Sequence, residues 1–399
     1  MARRQEDSMT ILLGIKGHRV KGVREEGRGL VVEMEEGEEA SCPRCGCGCL
    51  YRHGKAKPRP VLHSWTRGKR VYLVLAGRRW RCRACRYCFT QRIPLARPYS
   101  RLTGQAEEEA LWELKEHSFS QVRRRLGVGY GTLRCLLERR VNQGALEWQE
   151  EGVISLGIDE HSFRHQDMVY TITEVKRRRV LGILKDDRIA SLKAFLCKLP
   201  GEKVKEVCID MKEGLWKAIK AVFPQAKVVV DPFHIIADAN KRLDEARRLE
   251  QEMRGRRISI PKRIFLVGRE KLREEGKHKV DSLLARYPDL RGFYWAKEAL
   301  RELYQQEDRA VAARHLDNVI LNLKAGDDAE LVRWGNTLKH WREPMLNHFD
   351  NGTTNGFTEG CPTKIKMLKR LSYGLRKVDV YAKKMLLGFL PAPICFHTD

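Results

Sequence analysis

VISLGIDE (153–160), EVCID (206–210) and KVVVD (227–231) are three apolar runs that each finish on acid. Between the first two lie DMVYTITEV (167–175) and RVLGILK (179–185), which read as two more strands. A helix fits 189–199, and LWKAIKAVF (215–223) reads as another. Three strands followed by two strand–helix steps predict an α/β core in which the first and fourth strands lie side by side and parallel.

That order is the order of an RNase-H-like fold, and it ranks the acids. Sites in open α/β sheets form at the carboxyl ends of strands near a topological switch point. Neighbouring strands are ~4.8 Å apart. Asp159 and Asp210 are therefore expected within reach of two divalent ions ~4 Å apart, as two-metal phosphoryl transfer requires. Asp231 falls one strand further out. Asp210 is accordingly preferred to Asp231 as the second acid, and Asp231 with His234 is expected to support the site. The competing reading of such acids is that they cap the helix that follows.

The third acid comes late. Residues 351–370, NGTTNGFTEGCPTKIKMLKR, run from a turn into a helix. Ile365, Leu368 and Leu371 or Ser372 mark its buried stripe. Lys364, Lys366, Lys369 and Arg370 are expected to face solvent and hold a DNA backbone. Glu359 at the helix start is expected to face the metals, its alternative being a cap favoured by the helix dipole. Residues 235–350 read as a long, charged helical insertion. Trp295, Trp334 and Trp341 are expected in its core rather than stacked on bases.

Before this core lies a cysteine-rich head. Seven of the chain's 12 cysteines fall within residues 41–100. Cys42-Pro-Arg-Cys45 and Cys82-Arg-Ala-Cys85 are two knuckles separated by the 36 residues 46–81. Two such turns complete a tetrahedral structural zinc site with no open position. A β-hairpin would separate them, with VYLVLAGRRW (71–80) as a strand entering the second knuckle. Cys47, Cys49, Cys88, His53 and His63 compete as ligands. In SFSQVRRRLGVGYGTLR (118–134), Phe119, Val122 and Leu126 fall at helical spacing, a Gly-rich turn follows, and a second helix fits about 130–141. This predicts a helix-turn-helix, with Arg123, Arg124, Arg125 and Arg134 as DNA-binding cations. An ordinary helical hairpin is the alternative.

The 399 residues are 42% hydrophobic, enough for real cores, and carry 77 Lys and Arg against 52 acids, a formal net charge of +25. So large an excess points to a polyanionic partner. MARRQEDSMT (1–10) holds no apolar run of signal-peptide length, and no stretch approaches the ~18 apolar residues of a membrane span. The expectation is a soluble, intracellular protein whose cysteines bind metal or stay reduced.

The chain resembles the ISL3 group of bacterial insertion-sequence transposases, which are DDE enzymes. The resemblance covers nearly the whole chain. It rests on CPRC with WRCRACRYCFTQRIP, on GIDEHSFR, on DMKEGLWKAIKAVFPQAKVVVDPFHII, on FYWAKEALRELY and on TTNGFTEGCPTKIKMLKRLSYG. It implies Asp159 as first acid and Glu359 as third, with Asp231-x-x-His234 as an element following the second acid. It agrees with Asp210 as that second acid without settling the choice. Mg²⁺ or Mn²⁺ would occupy the three-acid site, and double-stranded DNA, as terminal inverted repeats and target, would be the partner of a homo-oligomer in the cytoplasm, at the nucleoid. The expected domains are a zinc ribbon (1–100), a helix-turn-helix (101–150), the RNase-H-like core (151–376, insertion about 235–350) and a C-terminal tail (377–399). One departure is Cys361-Pro362 directly after Glu359-Gly360. Proline is tolerated only in a helix's first turn, so the helix is expected to begin near 361 or to kink. A transposase-derived DNA-binding regulator with an inactive core is the alternative function.

Overall fold

The computed structural model describes residues 8–390 apart from 16–17, 28, 36–40, 76, 92–94, 98, 142–151, 165–166 and 256–258. The chain forms two compact units. One comprises Met1–Val141, Leu368–Leu375 and Leu390–Asp399; the other comprises Asn142–Met367 and Arg376–Phe389.

The first unit opens with α1 (Ser8–Leu13), β1 (Val20–Glu26), β2 (Gly29–Met34), β3 (Leu50–Lys55), β4 (Arg59–Thr66), β5 (Lys69–Leu75), β6 (Arg78–Cys82) and β7 (Cys88–Thr90). These strands make two sheets, one in the order β1-β2-β5-β4 and one in the order β3-β6-β7. Val71, Leu73 and Leu75 alternate inward on β5 and pack with Val32, Met34 and Val61. The run 71–80 is therefore not one strand. Its apolar first half belongs to the four-stranded sheet, and its arginine-rich second half is β6, which enters the second knuckle from the other sheet.

Three helices follow: α2 (Gly104–Glu116), α3 (Phe119–Leu126) and α4 (Tyr130–Arg140). Ser118 and Gln121 form a capping box at the start of α3. Gly127 ends that helix at φ +68°, the left-handed conformation that glycine adopts without penalty. Leu126, Val128, Leu133 and Leu137 are buried where α3 and α4 meet. Burial of His63 pushes its pKa down. Its Nε2 lies 2.7 Å from the Leu13 carbonyl and so must donate, and its Nδ1 lies 3.1 Å from Oγ1 of Thr103, the cap of α2. His63 thus ties α1, β4 and α2 together and is no metal ligand.

The second unit begins with β8 (Ile154–Arg164), β9 (Asp167–Glu174), β10 (Arg179–Ile183), α5 (Ile189–Leu196), β11 (Val204–Ile209), α6 (Glu213–Val222) and β12 (Lys227–Val230). The sheet order is β10-β9-β8-β11-β12. β9 and β10 are antiparallel neighbours, whereas β11 runs parallel to both β8 and β12. Strands covered on both faces need continuous apolar sequence. Ile154, Leu156, Ile158, Val207, Ile209, Val228 and Val230 supply it, packed with Leu192, Leu196, Leu215, Ile219 and Phe223. β8 does not stop at its acids: it pairs with β9 as far as Arg164, so Asp159 sits inside a strand.

Helices then dominate: α7 (Pro232–Met253), α8 (Lys262–Leu266), α9 (Glu274–Arg286), α10 (Arg291–Leu303), α11 (Arg309–Ala325), α12 (Ala329–His340), α13 (Arg342–Leu346), α14 (His348–Asn351), α15 (Gly356–Ser372) and α16 (Val378–Leu387). Among the described residues, no helix is long and apolar enough to cross a membrane. Trp334 and Trp341 are buried, but Trp295 is 43% exposed and is not a core residue. Its position on α10 faces away from buried Phe293, Ala296 and Leu300. Ser372, not Leu371, completes the buried stripe of α15 with Ile365 and Leu368.

Two expectations are corrected here. Residues 378–387 are not a tail but α16, on which Tyr381 is buried, with its hydroxyl 3.0 Å from Nε2 of His161 and its ring 4.4 Å from that of Phe163. Residues 391–399 lie outside the described residues. Nor does the last long helix begin near 361: α15 starts at Gly356 and carries Pro362 in its interior. The cost is one backbone hydrogen bond, that to the Thr358 carbonyl. The Thr358 side chain is buried against the sheet, 2.7 Å from Oγ1 of Thr173.

Gly157 lets that helix approach. A Cβ there would meet Thr358 Oγ1 at 2.2 Å, Asn355 Oδ1 at 2.4 Å and Thr173 Oγ1 at 2.8 Å. Gly157→Ala is expected to cost about 1–3 kcal/mol through overpacking. Urea unfolding measures it, and a loss below about 0.5 kcal/mol would show that the helix does not need this contact.

Candidate active site and cysteine centre

Four acids and a histidine converge where β11 and β12 end, beside the middle of β8. Parallel pairing of β8 with β11 runs through Gly157 and Cys208, so Asp159 and Asp210 leave neighbouring strands at the same edge. Glu160 is the next residue on β8, and side chains alternate across a strand. It is taken by Lys212, whose Nζ lies 2.5 Å away. That separates the two acids of the GIDE motif: Asp159 belongs to the cluster and Glu160 to a neutralised pair.

Asp231 is buried and its two oxygens are occupied. Oδ1 accepts from the Phe233 backbone N–H at 2.8 Å, the cap of α7, and Oδ2 accepts from the Asn355 backbone N–H. Pro232 at the first helical position pre-sets the turn. His234, one residue further, points its Nε2 at two other acids, 2.7 Å from Asp210 Oδ1 and 3.3 Å from Glu359 Oε1. Glu359 is held in the first turn of α15, its N–H bonded to Asn355 O at 2.8 Å.

The electrostatics follow from this crowding. Burial, and then the charge of Asp210, push the Asp159 pKa up to about 6, against the Glu160 N–H that donates to it at 2.7 Å. Burial and the neighbouring Asp231, Asp159 and Asp210 raise Glu359, with His234 opposing. Burial alone would lower His234, but its bond and charge contacts with Asp210, Glu359 and Asp231 outweigh that and raise it. One imidazole is a poor match for so much carboxylate. Asp210 Oδ1, His234 Nε2 and Glu359 Oε1 are all buried without an aligned hydrogen bond, although their separations are those of ion pairs. Buried carboxylate oxygens after β11 and on α15 are hard donors, the ligand type that magnesium prefers.

The sequence did not single out the residues that hold these acids in place. Asn355 is fully buried and donates its Nδ2 to the Ile158 carbonyl at 3.2 Å. Glu206 on β11 accepts from Thr353 Oγ1 at 2.7 Å and Ser155 Oγ at 3.2 Å. An acid sharing a strand face with Val204 and Cys208 was the available signal.

The cysteine centre lies in the first unit. Sγ atoms of Cys42, Cys45, Cys82 and Cys85 all fall within 4.8 Å of one another, the one such group of three or more ligand-type residues among the described residues. Cys42–Cys85 is 3.5 Å and Cys45–Cys82 is 3.6 Å. Four thiolates at ~2.3 Å around zinc would be spaced by roughly 3.8 Å, so the set fits that ion. The knuckles are built alike. Gly46 N bonds Cys42 O and Arg86 N bonds Cys82 O, with φ of +71° and +60° at Gly46 and Arg86. Backbone N–H groups, that of Cys85 first, hold the Cys82 thiol down at about 6, which favours the thiolate. Cys47, Cys49, Cys88 and His53 stay outside the group.

Of the basic residues, Arg123 and Arg124 are exposed on α3, while Arg125 pairs with Glu113 at 3.2 Å and Arg134 with Glu138 at 2.9 Å. Lys366 and Arg370 are exposed on α15, Lys369 is half-buried, and Lys364 stands over the Phe389 ring at 4.7 Å.

A strongly basic chain with a cysteine ribbon, a helix-turn-helix and acids gathered at parallel strand ends is built to act on DNA. Three family models match it: the zinc-finger of transposase IS204/IS1001/IS1096/IS1165 over residues 38–85, the helix-turn-helix domain of transposase family ISL3 over 91–141, and the ISL3 DDE transposase over 156–385. The chain belongs to the ISL3 family of insertion-sequence transposases. It is 25% identical over 388 residues to the transposase for insertion sequence element IS1001 of Bordetella parapertussis, covering 93% of this chain and 94% of that one. It is 22% identical over 322 residues to the transposase for insertion sequence element IS1557 of Mycobacterium tuberculosis, covering 71% of each.

Two outcomes are expected. The raised Asp159 pKa, about 6, means the folded chain keeps a proton that the unfolded chain releases above about pH 4. Stability is therefore lost as pH rises from about 4 to 6. In magnesium-free buffer Asp159→Asn is expected to be about 1–3 kcal/mol more stable than the parent at pH 7 and no more stable near pH 4; urea unfolding at the two pH values checks this. For the cysteine centre, metal analysis is expected to find one zinc per chain, lost in Cys82→Ser. A Cys82→Ser protein that retained its zinc would reject the four-thiolate set.

Proposed function

We propose that this chain recognises the inverted repeats at the ends of its element and there cuts and rejoins DNA, with Asp159, Asp210 and Glu359 holding two Mg²⁺ or Mn²⁺ ions. The observation that carries this is the meeting of Asp210 and Glu359, 149 positions apart in sequence, on either side of His234, all three with unsatisfied buried atoms. The strand order β10-β9-β8-β11-β12, with β8 and β11 parallel, supports an RNase-H-like core. The core is assigned to about residues 151–376 with its helical insertion at about 235–350, the zinc ribbon to 1–100 and the helix-turn-helix to 101–150.

When bound, the metal pair would activate the attacking water or 3′-hydroxyl and stabilise the leaving 3′ oxygen. The protein's own groups do the rest. Asp210 is preferred to Asp231 as second acid because both Asp231 oxygens already accept backbone N–H groups, whereas Asp210 Oδ1 meets only the His234 imidazole, at 2.7 Å. Asp231 fastens α7 and the loop before Glu359. His234 orients the Asp210 and Glu359 carboxylates and partly offsets their charge. Arg123, Arg124, Arg125 and Arg134 of the helix-turn-helix bind the inverted repeats, and Lys364, Lys366, Lys369 and Arg370 hold the DNA backbone. The thiolates of Cys42, Cys45, Cys82 and Cys85 hold a structural zinc. The protein works as a homo-oligomer on DNA, at the nucleoid in the cytoplasm.

An in vitro assay on the element's ends, with and without Mg²⁺, tests this. Asp159→Asn, Asp210→Asn and Glu359→Gln are each expected to lower cleavage and joining by at least about 1000-fold while end binding persists. Asp231→Asn, which keeps one acceptor, is expected to lose less activity and to destabilise the fold by about 0.5–2 kcal/mol as a weakened cap. Full activity in Asp210→Asn with none in a folded Asp231→Asn would exchange the two roles.

A further inference from the structure

Glu206 stands four residues before Asp210 on the same strand, and only 2% of it is exposed. It faces Ser155 of β8 and Lys227 of β12 across the sheet. Its Oε2 accepts from Thr353 Oγ1 at 2.7 Å and Ser155 Oγ at 3.2 Å, and its Oε1 accepts from Asn351 Nδ2. The nearest cation in contact is the half-exposed Lys176, at 3.9 Å. A carboxylate buried with so distant a partner gives the fold little that an apolar side chain of its shape would not give better. It does give three directed bonds, and two of them go to the segment that leads to Glu359.

That segment has no regular structure of its own between α14 and α15, yet Thr353, Asn355 and Thr358 are buried. Glu206 grips it at Asn351 and Thr353. Asp231 and the Ile158 carbonyl grip it at Asn355, and Thr173 grips it at Thr358. Five residues separate Thr353 from Glu359, the last three of them already helical. The strand that ends in Asp210 therefore holds the approach to Glu359 directly, through one side chain.

We propose that Glu206 is a positioning residue for the active site: by clasping Asn351 and Thr353 it sets where α15 begins, and so where the Glu359 carboxylate stands against Asp210. This rests on the three-acid site proposed above. Glu206 touches neither DNA nor metal. Its effect is on how tightly the acids take up magnesium.

The test uses the full-length protein and measures the Mg²⁺ concentration giving half-maximal cleavage of a duplex carrying the element's end, together with end binding and the unfolding midpoint. Glu206→Gln keeps the acceptor for Thr353 and Ser155 but sets an amide donor against the Asn351 amide. Half-maximal Mg²⁺ is expected to rise about tenfold, as loss of one or two net hydrogen bonds implies, with end binding unchanged. Pairing it with Asn351→Asp restores a donor–acceptor match and is expected to bring the requirement back to within about threefold of the parent. Asn351→Ala removes only an exposed side chain, leaves the fold intact, and is expected to shift the requirement in the same direction as Glu206→Gln. A folded Glu206→Gln whose Mg²⁺ requirement stays within twofold of the parent overturns the proposal, as does a double variant no better than the single one. If Glu206→Gln fails to fold, an unchanged Mg²⁺ requirement in Asn351→Ala overturns it instead. Asp159→Asn in the same assay keeps the two readings apart: cleavage surviving there rejects the three-acid site itself, and cleavage lost there leaves the variants at 206 and 351 to judge the clasp.

Discussion

Like charges brought together out of water repel, and this chain gathers Asp159, Asp210, Asp231 and Glu359 at one sheet edge with a single imidazole among them. Burial first, and that repulsion after it, raise the pKa values of Asp159 and Glu359. The fold must resist it, since acids free to move would splay apart. Resistance comes from the rigid pairing of β8 with β11, from the Asp231 carboxylate locked by two backbone N–H groups, and from the polar clasps on residues 351–358. The acids are thus pre-arranged, and the opposing charge is left to whatever cation enters.

The acids divide by how their oxygens are spent, Asp159 accepting the Glu160 N–H. Asp231 gives both to backbone donors and serves the architecture of α7 and the 355 loop. Asp210 and Glu359 turn one oxygen each toward His234 without a hydrogen bond. Glu206, deeper in the sheet, is spent wholly on hydroxyl and amide donors. Carboxylates of the same chemistry are thus told apart by their local hydrogen bonding.

The head follows a different logic. Its three-stranded sheet is small, its helices short, and many of its strand residues are arginine. A sheet of that size buries too little to hold itself. Four thiols within 4.8 Å supply the cross-link instead, at two turns of matching geometry. The four-stranded sheet beside it needs none, having Leu73, Val61 and Val32 for a core.

The strands 154–164, 204–209 and 227–230, the helices between and after them, the knuckle cysteines and the family were legible in the residues, because apolar period, C-x-x-C spacing and net charge are local properties. The residues also nominate Asp159, Asp210 and Glu359 as a set. Other features needed the third dimension. The length of β8 depends on its partner β9. The split of 71–80 between two sheets depends on which core each half joins. Pro362 inside α15 is tolerated because tertiary contacts at Asn355 and Thr358 secure the helix around a missing hydrogen bond. Residues 378–387 became a buried helix because Tyr381 finds His161 and Phe163 on the sheet. Above all, Asp210 and Asp231 look alike in sequence, each closing an apolar strand. Only the folded chain distinguishes them, since backbone donors brought from the first turn of α7 and from residue 355 hold both oxygens of the one, while the other meets the His234 imidazole.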